Sequence, residues 1–467
     1  MTFIAKNSFL WQKIAIELCN TESVASILAS LHRGAKILVV RFGLHSEYES
    51  RNILEVANEA IAVYHSQVAP WKPTVGIAAE LSGSIPRVKF GRNPGFHVVM
   101  SGQKIVLTVD QNYENKFVDS VIYVSNFADQ MRSLQRADLL RIGQVRLITC
   151  KIQGKFAVCR VQQCVENFSF PVKLYSYQKV LLIDCPRKWQ VSSKELEECR
   201  TAIENKCQYI MVPDADNQEI LCSIHEIRQN FQSQQHIPNI LIRTALYLSK
   251  ETIEKFAEHA VGIITNNNSI IENCRQQKIS TIFDMTNEVN LVINETVFHN
   301  IDGVLTNMEQ IDLIKEKLEK LNQMKTNEKN CINNVIVQEN DVIEQCIEYA
   351  SNQCAANVIM LYLSKDVSKA ESLSRKNLPC CVLVAIDHED QAYQLLLKKY
   401  CIPIAIPSNV QSHKALIKYL TVYGRRFGYL KPGNLTVTSV RQHSVRSIEL
   451  RYVPDDYLLS CQFTCTE

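Results

Sequence analysis

The stretch "PNILIRTALYLSKETIEKFAEHAVGIITNNNSIIENC", Pro238 to Cys274, decides how the fold is read. It opens on a short apolar strand, "PNILIRTAL", continues as a helix, "SKETIEKFAEHA", and returns to a strand, "VGIIT". Strand–helix–strand units this short build a parallel sheet, either a barrel or an open doubly wound sheet. In both, catalytic groups gather at the carboxyl ends of the strands. After Gly262–Thr265 that end carries Asn266, Asn267, Asn268 and Ser269, amides and a hydroxyl without a carboxylate. Asparagine caps helices and tolerates left-handed backbone, so the run reads first as a strand-to-helix turn.

The alternation extends outward in both directions. Upstream lie the strand "AKILVVRF" (Ala35–Phe42), a helix entered at the capping Ser46, and the strand "TVGIAAEL" (Thr74–Leu81). "CQYIMVP" (Cys207–Pro213) is a strand followed by the helix "NQEILCSIHEIRQNFQS". Beyond the opening stretch come the strands "ISTIFDM" (Ile279–Met285) and "IDGVLTN" (Ile301–Asn307). The middle region differs. "HVVMSGQKIVLTVD", "SVIYVSN" and "QVRLITCKIQGKFAVCRVQQC" are β-branched runs with turn signals and little helical period, which predicts an inserted all-β module. "EKLEKLNQMKTNEKNCINN" (Glu316–Asn334) reads as a charged bridge at a domain boundary. After it, "NVIMLYLS", "CCVLVAI" and "CIPIAIP" are strands separated by helices, a second α/β unit of open, doubly wound type.

Composition narrows the function classes. At 467 residues the chain exceeds one compact core. A net charge of +3 argues against a nucleic-acid or anionic-membrane field. No apolar run approaches the ~20 residues that span a bilayer, and the N-terminal stretch shows no secretory leader. The 17 cysteines are scattered, without a CxxC pair or zinc spacing, as expected of reduced thiols in a cytoplasmic protein. Glycines number 14, too few and too dispersed for a phosphate-binding fingerprint. His32, His45, His225 and His259 form no cluster and take no catalytic role. "KYLTVYGRRFGYLK" (Lys418–Lys431) interleaves cations with aromatics, a pattern of single-strand nucleic-acid binders, but also of a closing α/β segment.

An α/β domain interrupted by a β module and followed by a smaller α/β domain resembles pyruvate kinase. "ASNQCAANVIMLYLSKDVSKAESLSRKNLPCCVLVAI" (Ala350–Ile386), "YGRRFGYLKPGN" (Tyr423–Asn434) and "VTSVRQHSVRSIELRYVP" (Val437–Pro454) carry the likeness in the C-terminal third. The resemblance implies a (β/α)8 TIM-type barrel with an inserted β-barrel lid domain and a C-terminal doubly wound α/β domain. It places the first part of the barrel at 1–88, the lid at 89–184, the second part at 185–325 and the C-terminal domain at 326–467. The reaction it implies is phosphoryl transfer from phosphoenolpyruvate to ADP in glycolysis, with Mg2+ and K+, by a homotetramer.

The site positions that the resemblance assigns are altered. In "GAKILVVRFGLH" Val39 stands for a phosphoryl-contacting Arg, Arg41 for a cation-holding Asn and Gly43 for a Ser. In "AAELSGSIPRVKFG" Glu80 stands for the cation-binding Asp, Leu81 for a Thr and Ser82 for a Lys, while Gly83 and Arg87 match. Arg243 takes the place of the key Lys; Ala245 and Ser269 take the places of the metal-binding Glu and Asp. Asp284 stands where the family has a Thr near the reacting group. "LSKDVSKAE" keeps Ser368 but lacks the glycine and arginine of a sugar-bisphosphate loop. Mg2+ requires carboxylate oxygen, which neither Ala245 nor Ser269 offers. The expectation is a pyruvate-kinase-like subunit, scaffold or regulator with impaired catalysis and no bound cofactor. Its expected partners are pyruvate-kinase-type subunits in a homo- or hetero-oligomer, not nucleic acid or membrane. Arg87 and Arg243 remain as candidate catalytic cations, with Arg87 also on substrate, and Glu80 as a candidate cation ligand. The alternative is an active or residually active kinase in which Asp284 or Glu272 recruits the metal.

Overall fold

The structure is a computed structural model. It describes residues 13–454, leaving out 84–85, 90–95, 115, 117–119, 126, 143–144, 165–170, 176–179, 183–192, 214–237, 245–247, 278, 287–294, 327–341, 364–366, 377, 379, 408–409, 411 and 443–444. The helix expected over "NQEILCSIHEIRQNFQS" lies outside the described residues. The chain divides into two compact units, one of residues up to Leu81 together with Leu196 onward, the other Ser82–Glu195.

In chain order the strands are β1 (Lys13–Leu18), β2 (Ala35–Arg41), β3 (Gly76–Glu80), β4 (Arg87–Lys89), β5 (Phe96–Val99), β6 (Lys104–Thr108), β7 (Val121–Ser125), β8 (Leu139–Ile142), β9 (Val145–Gln153), β10 (Phe156–Cys164), β11 (Val172–Tyr175) and β12 (Val180–Leu182). They continue as β13 (Tyr209–Pro213), β14 (Asn239–Arg243), β15 (Gly262–Thr265), β16 (Ser280–Asp284) and β17 (Gly303–Asn307). Eight of them close a parallel barrel in the order β1-β17-β16-β15-β14-β13-β3-β2. Each is buried on both faces because helices cover the outside, so it reads as a continuous apolar run without alternation. β1 is the strand that the sequence pattern left unassigned. "KIAIEL" is short, and its Lys13 and Glu17 hide an otherwise apolar run, yet all six residues are buried.

Alternation along each strand decides what fills the barrel. Ala15, Val39, Ala78, Met211, Leu241, Ile282 and Leu305 share one apolar cluster. Two residues further along their strands stand Glu17, Arg41, Glu80, Pro213, Arg243, Asp284 and Asn307. The period of two therefore puts a charged layer directly above an apolar one.

Local signals set the helices. Ser46 accepts from the Glu49 N–H, and Glu49 returns a bond to the Ser46 N–H, a capping box that starts the helix Glu47–Gln67. The Ser249 hydroxyl accepts the Thr252 N–H at 3.2 Å and caps Lys250–Ala257. The expected charged bridge differs: its first part belongs to a helix, Ile311–Thr326. Ile314 and Leu318, one turn apart, are buried in the shell around Phe298. An apolar stripe at helical spacing outweighs the high charge there.

After the barrel come β18 (Val358–Leu363), β19 (Cys381–Ile386), β20 (Cys401–Ala405), β21 (Leu435–Gln442) and β22 (Val445–Tyr452). They form one sheet, β20-β19-β18-β21-β22, parallel except at β22. This sheet is continuous with the barrel unit. The Tyr209 hydroxyl donates to the Tyr393 carbonyl at 2.5 Å, and the Lys13 ammonium donates to the Cys401 carbonyl. Among the described residues the unit Ser82–Glu195 is mostly strand and holds a seven-stranded sheet, β12-β8-β9-β10-β6-β7-β4, around its own apolar cluster.

Two outcomes follow from this packing. A Cβ on Gly303 would come within 2.7 Å of the Lys13 carbonyl oxygen across the β1–β17 pair. Gly303→Ala should therefore lower stability by about 1–3 kcal/mol in urea unfolding. Burial, reinforced by the charge of Lys13, pushes the Lys36 ammonium down to about 8. The unfolded chain then binds the extra proton above that pH, so stability rises with pH in that window. Lys36→Met should melt higher than the parent at neutral pH, and the gap should narrow as pH climbs past about 8.

Candidate functional site

The charged layer forms one network at the carboxyl ends of the barrel strands. Arg243, the last residue of β14, sits at its centre. Its Nη1 donates to Glu80 Oε2 at 2.5 Å, and its Nε donates to Asp284 Oδ2 at 2.8 Å. Nη2 lies 2.8 Å from the same Asp284 oxygen and donates to Thr286 Oγ1 at 2.8 Å. Glu17 Oε2 lies 3.9 Å from Nη1. A second guanidinium shares these acids: Arg41 reaches Glu17 Oε1 at 3.2 Å and Glu80 Oε2 at 3.0 Å. Asp284 is itself held by the Thr286 hydroxyl at 2.7 Å and the Thr286 N–H at 3.1 Å.

The pairing follows from strand register. Arg41 lies directly beside Glu80 in β2–β3, and Glu17 on β1 is offset from Arg41 by two residues. Arg243 then spans the mouth from β14 to reach β3, β1 and β16, which its long side chain and planar fork allow. Arg243 is 7% exposed and Glu80 3%. At that depth the charges persist because they are paired. Burial opposes the Arg243 charge, but Glu80, Asp284 and Glu17 outweigh it and hold its pKa above the ordinary value. Burial and Glu80 act in the same opposed way on Arg41, again with a net rise. Both guanidinia thus stay charged throughout the range where the fold exists. Among the described residues the layer sets three carboxylates, Glu17, Glu80 and Asp284, against two cations, Arg41 and Arg243.

The sequence-assigned positions separate into those inside this network and those outside it. Glu80 and Arg243 meet each other, and Asp284 turns to Arg243. Val39 is fully buried one layer below the charges. Ser269 is exposed in the first turn of the helix Asn268–Gln276, where its N–H donates to the Asn267 side chain at 3.0 Å. The asparagine run is therefore a capped strand-to-helix turn. Glu272 is exposed on that helix. Ala245 lies outside the described residues, as does the side chain of Arg87 on β4 (Arg87–Lys89). Glu80 takes its ion pairs from Arg41 and Arg243. Sequence reasoning missed Glu17, which sits on the unassigned first strand, and the pairing role of Arg41. The signal that finds them is a charge at the final inward position of a barrel strand. Among the described residues no three His, Cys, Asp or Glu side chains are arranged to hold a metal ion.

With this geometry in hand, comparison with known proteins is informative at the level of fold. Neither a family model nor a curated protein matches the chain. Among solved structures, pyruvate kinase of Cryptosporidium parvum is similar over 94% of this chain and 97% of its own, with a TM-score of 0.73 and 14% identity. The chain therefore has a pyruvate-kinase-like fold: a parallel barrel, a β lid and a C-terminal α/β domain.

Removing Arg243 would take the guanidinium from Asp284 and leave buried Glu80 the Arg41 ion pair. Arg243→Leu should cost about 3–5 kcal/mol in urea unfolding. Arg243→Lys keeps the charge but loses the fork, and should still cost about 1–3 kcal/mol. Stabilisation by a group with a raised pKa is lost only on the alkaline side of that pKa, so the Arg243→Leu deficit should be as large at about pH 10 as at about pH 7.

Proposed function

We propose that this chain is a pyruvate-kinase-like protein that does not transfer phosphoryl groups and acts in the cytoplasm as a subunit, scaffold or regulator of pyruvate-kinase-type assemblies. One observation carries the reading: the Arg243 guanidinium lies between Glu80 and Asp284, its hydrogen bonds already spent on the barrel's own acids. Phosphoryl transfer depends on cations free to meet the phosphoryl oxygens and on a divalent ion bridging them. A divalent ion needs carboxylate oxygens with free lone pairs. Here Glu80 and Asp284 direct theirs at a guanidinium, and Ser269 points to solvent. The described residues do not fit Mg2+. The second reading, a residually active kinase with Asp284 or Glu272 recruiting the metal, gains nothing from this geometry, since Asp284 is bound to Arg243 and Thr286 and Glu272 is remote on the helix surface.

A subunit role draws support from the C-terminal sheet. β22 is its edge strand, with Leu450 50% and Tyr452 74% exposed. Among the described residues no strand pairs with its outer edge, and an edge of that kind is a template for pairing with another chain. The described cysteines are free thiols, in keeping with a reducing compartment, and no helix among the described residues is long and apolar enough to cross a membrane.

A coupled assay with phosphoenolpyruvate, ADP, Mg2+ and K+ should show no turnover, and the same ligands should leave the melting temperature unchanged. Turnover at or above about 1 s−1, the low end of enzyme rates, would overturn the proposal. Combining Ala245→Glu, Ser269→Asp and Arg243→Lys should open the site to Mn2+, read as a new metal-dependent thermal shift.

A further inference from the structure

We propose that Lys36 is a nucleophilic lysine and that the cavity around it takes a small aldehyde bearing an acidic group, held as a reversible imine. The cavity, of about 160 Å3, lies between the amino end of β2, the helices Val24–His32 and Glu47–Gln67, and the segment that follows the helix His413–Arg426. Lys36 is the second residue of β2 and is half-buried. Its neighbour Ile37 belongs to the apolar cluster inside the barrel, so strand alternation turns Lys36 outward. There it lines the cavity with Leu31, Tyr64, Tyr423 and Phe427.

The surroundings favour a free amine. Among the described residues the Lys36 ammonium has neither an ion pair nor a hydrogen bond. Lys13, in the same cavity, instead donates to the Cys401 carbonyl. An amine held in an apolar wall beside another cation is the arrangement that activates lysine as a nucleophile. Here burial, and then the charge of Lys13, bring Lys36 to about 8. At about pH 7.4 about one molecule in five then carries the free amine, against about one in a thousand for an ordinary lysine.

No neighbour restores the charge. Lys13 faces Lys36 from β1, His32 and Arg33 from the end of the first helix, and Lys315 from the helix Ile311–Thr326. Tyr64 faces it from the second helix, and burial pushes that phenol up to about 12. Burial likewise raises Tyr423 and Tyr429, so all three phenols stay neutral where Lys36 titrates. His65, also near Lys36, is held toward its neutral form by burial. Among the described residues no carboxylate lines the cavity.

The acidic group of the ligand has its own partner. Arg33 is committed to Asp312 and Ser30 and is not counted. Lys315, like Lys36, has no ion pair or hydrogen bond among the described residues, and it lines the same cavity. The chemistry balances without an oxidant or reductant. The amine lone pair attacks the aldehyde carbon, a C–N bond forms, and one N–H proton passes to the oxygen. That oxygen leaves as water with the second N–H proton, and the C=N bond closes.

The test is reductive labelling of the intact chain with glyoxylate, and separately with acetaldehyde, each with cyanoborohydride and read by peptide mass mapping. Labelling at Lys36 is expressed relative to the exposed lysines, which cancels the intrinsic reactivity of each reagent. With glyoxylate at about pH 7.4 this ratio should be at least about ten, and it should fall as pH climbs past about 8, where the other amines gain free base and Lys36 has none left to gain. The acetaldehyde ratio should be lower. Lys315→Gln should reduce the glyoxylate ratio about threefold, the worth of one partly exposed ion pair, and leave the acetaldehyde ratio unchanged. Lys36→Met, which keeps the fold, should lose this adduct while the exposed lysines label as before. Labelling of Lys36 no faster than the exposed lysines, a ratio indifferent to pH, or equal ratios for the two aldehydes would overturn the site.

Discussion

The Arg243 guanidinium, bound at once to β3 and β16 and close to β1, is the contact on which the barrel mouth depends. A parallel barrel filled by apolar side chains ends in a layer that faces the opening, and in an enzyme of this architecture that layer holds cations and metal ligands free to meet substrate. In this chain the same positions hold acids and arginines that pair with one another. The layer contributes to the fold in the way a buried ion-pair cluster does, costly to assemble and more costly to break.

The question raised by the asparagine run after β15 thereby resolves in two parts. The turn itself is ordinary: Asn267 caps a helix, and Ser269 faces solvent. What changed is elsewhere in the ring. The expected metal-binding carboxylates are absent from their positions, while other carboxylates, Glu17 and Glu80, sit where an arginine fork gathers them. The mouth is better described as neutralised from within than as emptied. A covalently attached cation needs no ion from solution. The floor of the barrel has the reverse character. There Arg275, Arg375, Lys376, Lys398 and Lys399 line a cavity beside Asp302. The two ends are joined by five-residue strands such as β16, too short to absorb a shift at one end without moving the other.

Much of this architecture was legible before the fold. Seven barrel strands, the inserted β module and the C-terminal α/β unit follow from apolar runs punctuated by capping residues, because strands covered on both faces and capped helices leave local signatures. β1 escaped because a lysine and a glutamate break up "KIAIEL", and their burial is affordable only through partners far along the chain. The helix Ile311–Thr326 escaped for the opposite reason: its charges are many, and its buried stripe is read only once the shell around Phe298 is in place.

The amino-acid sequence by itself determined which residues could be strand and helix and where the β module interrupts the barrel. It also fixed the identities of Glu17, Arg41, Glu80, Arg243 and Asp284. Only the tertiary structure decided that these five meet. They lie on strands separated by up to more than two hundred residues, and ion pairing requires closure of the barrel in one register, which a linear pattern of apolar runs does not specify. The same closure, seating the C-terminal sheet against the barrel floor, brings Ser280, Lys398 and Lys399 around one cavity, for no local signal links a strand's first residue to a loop more than a hundred positions away.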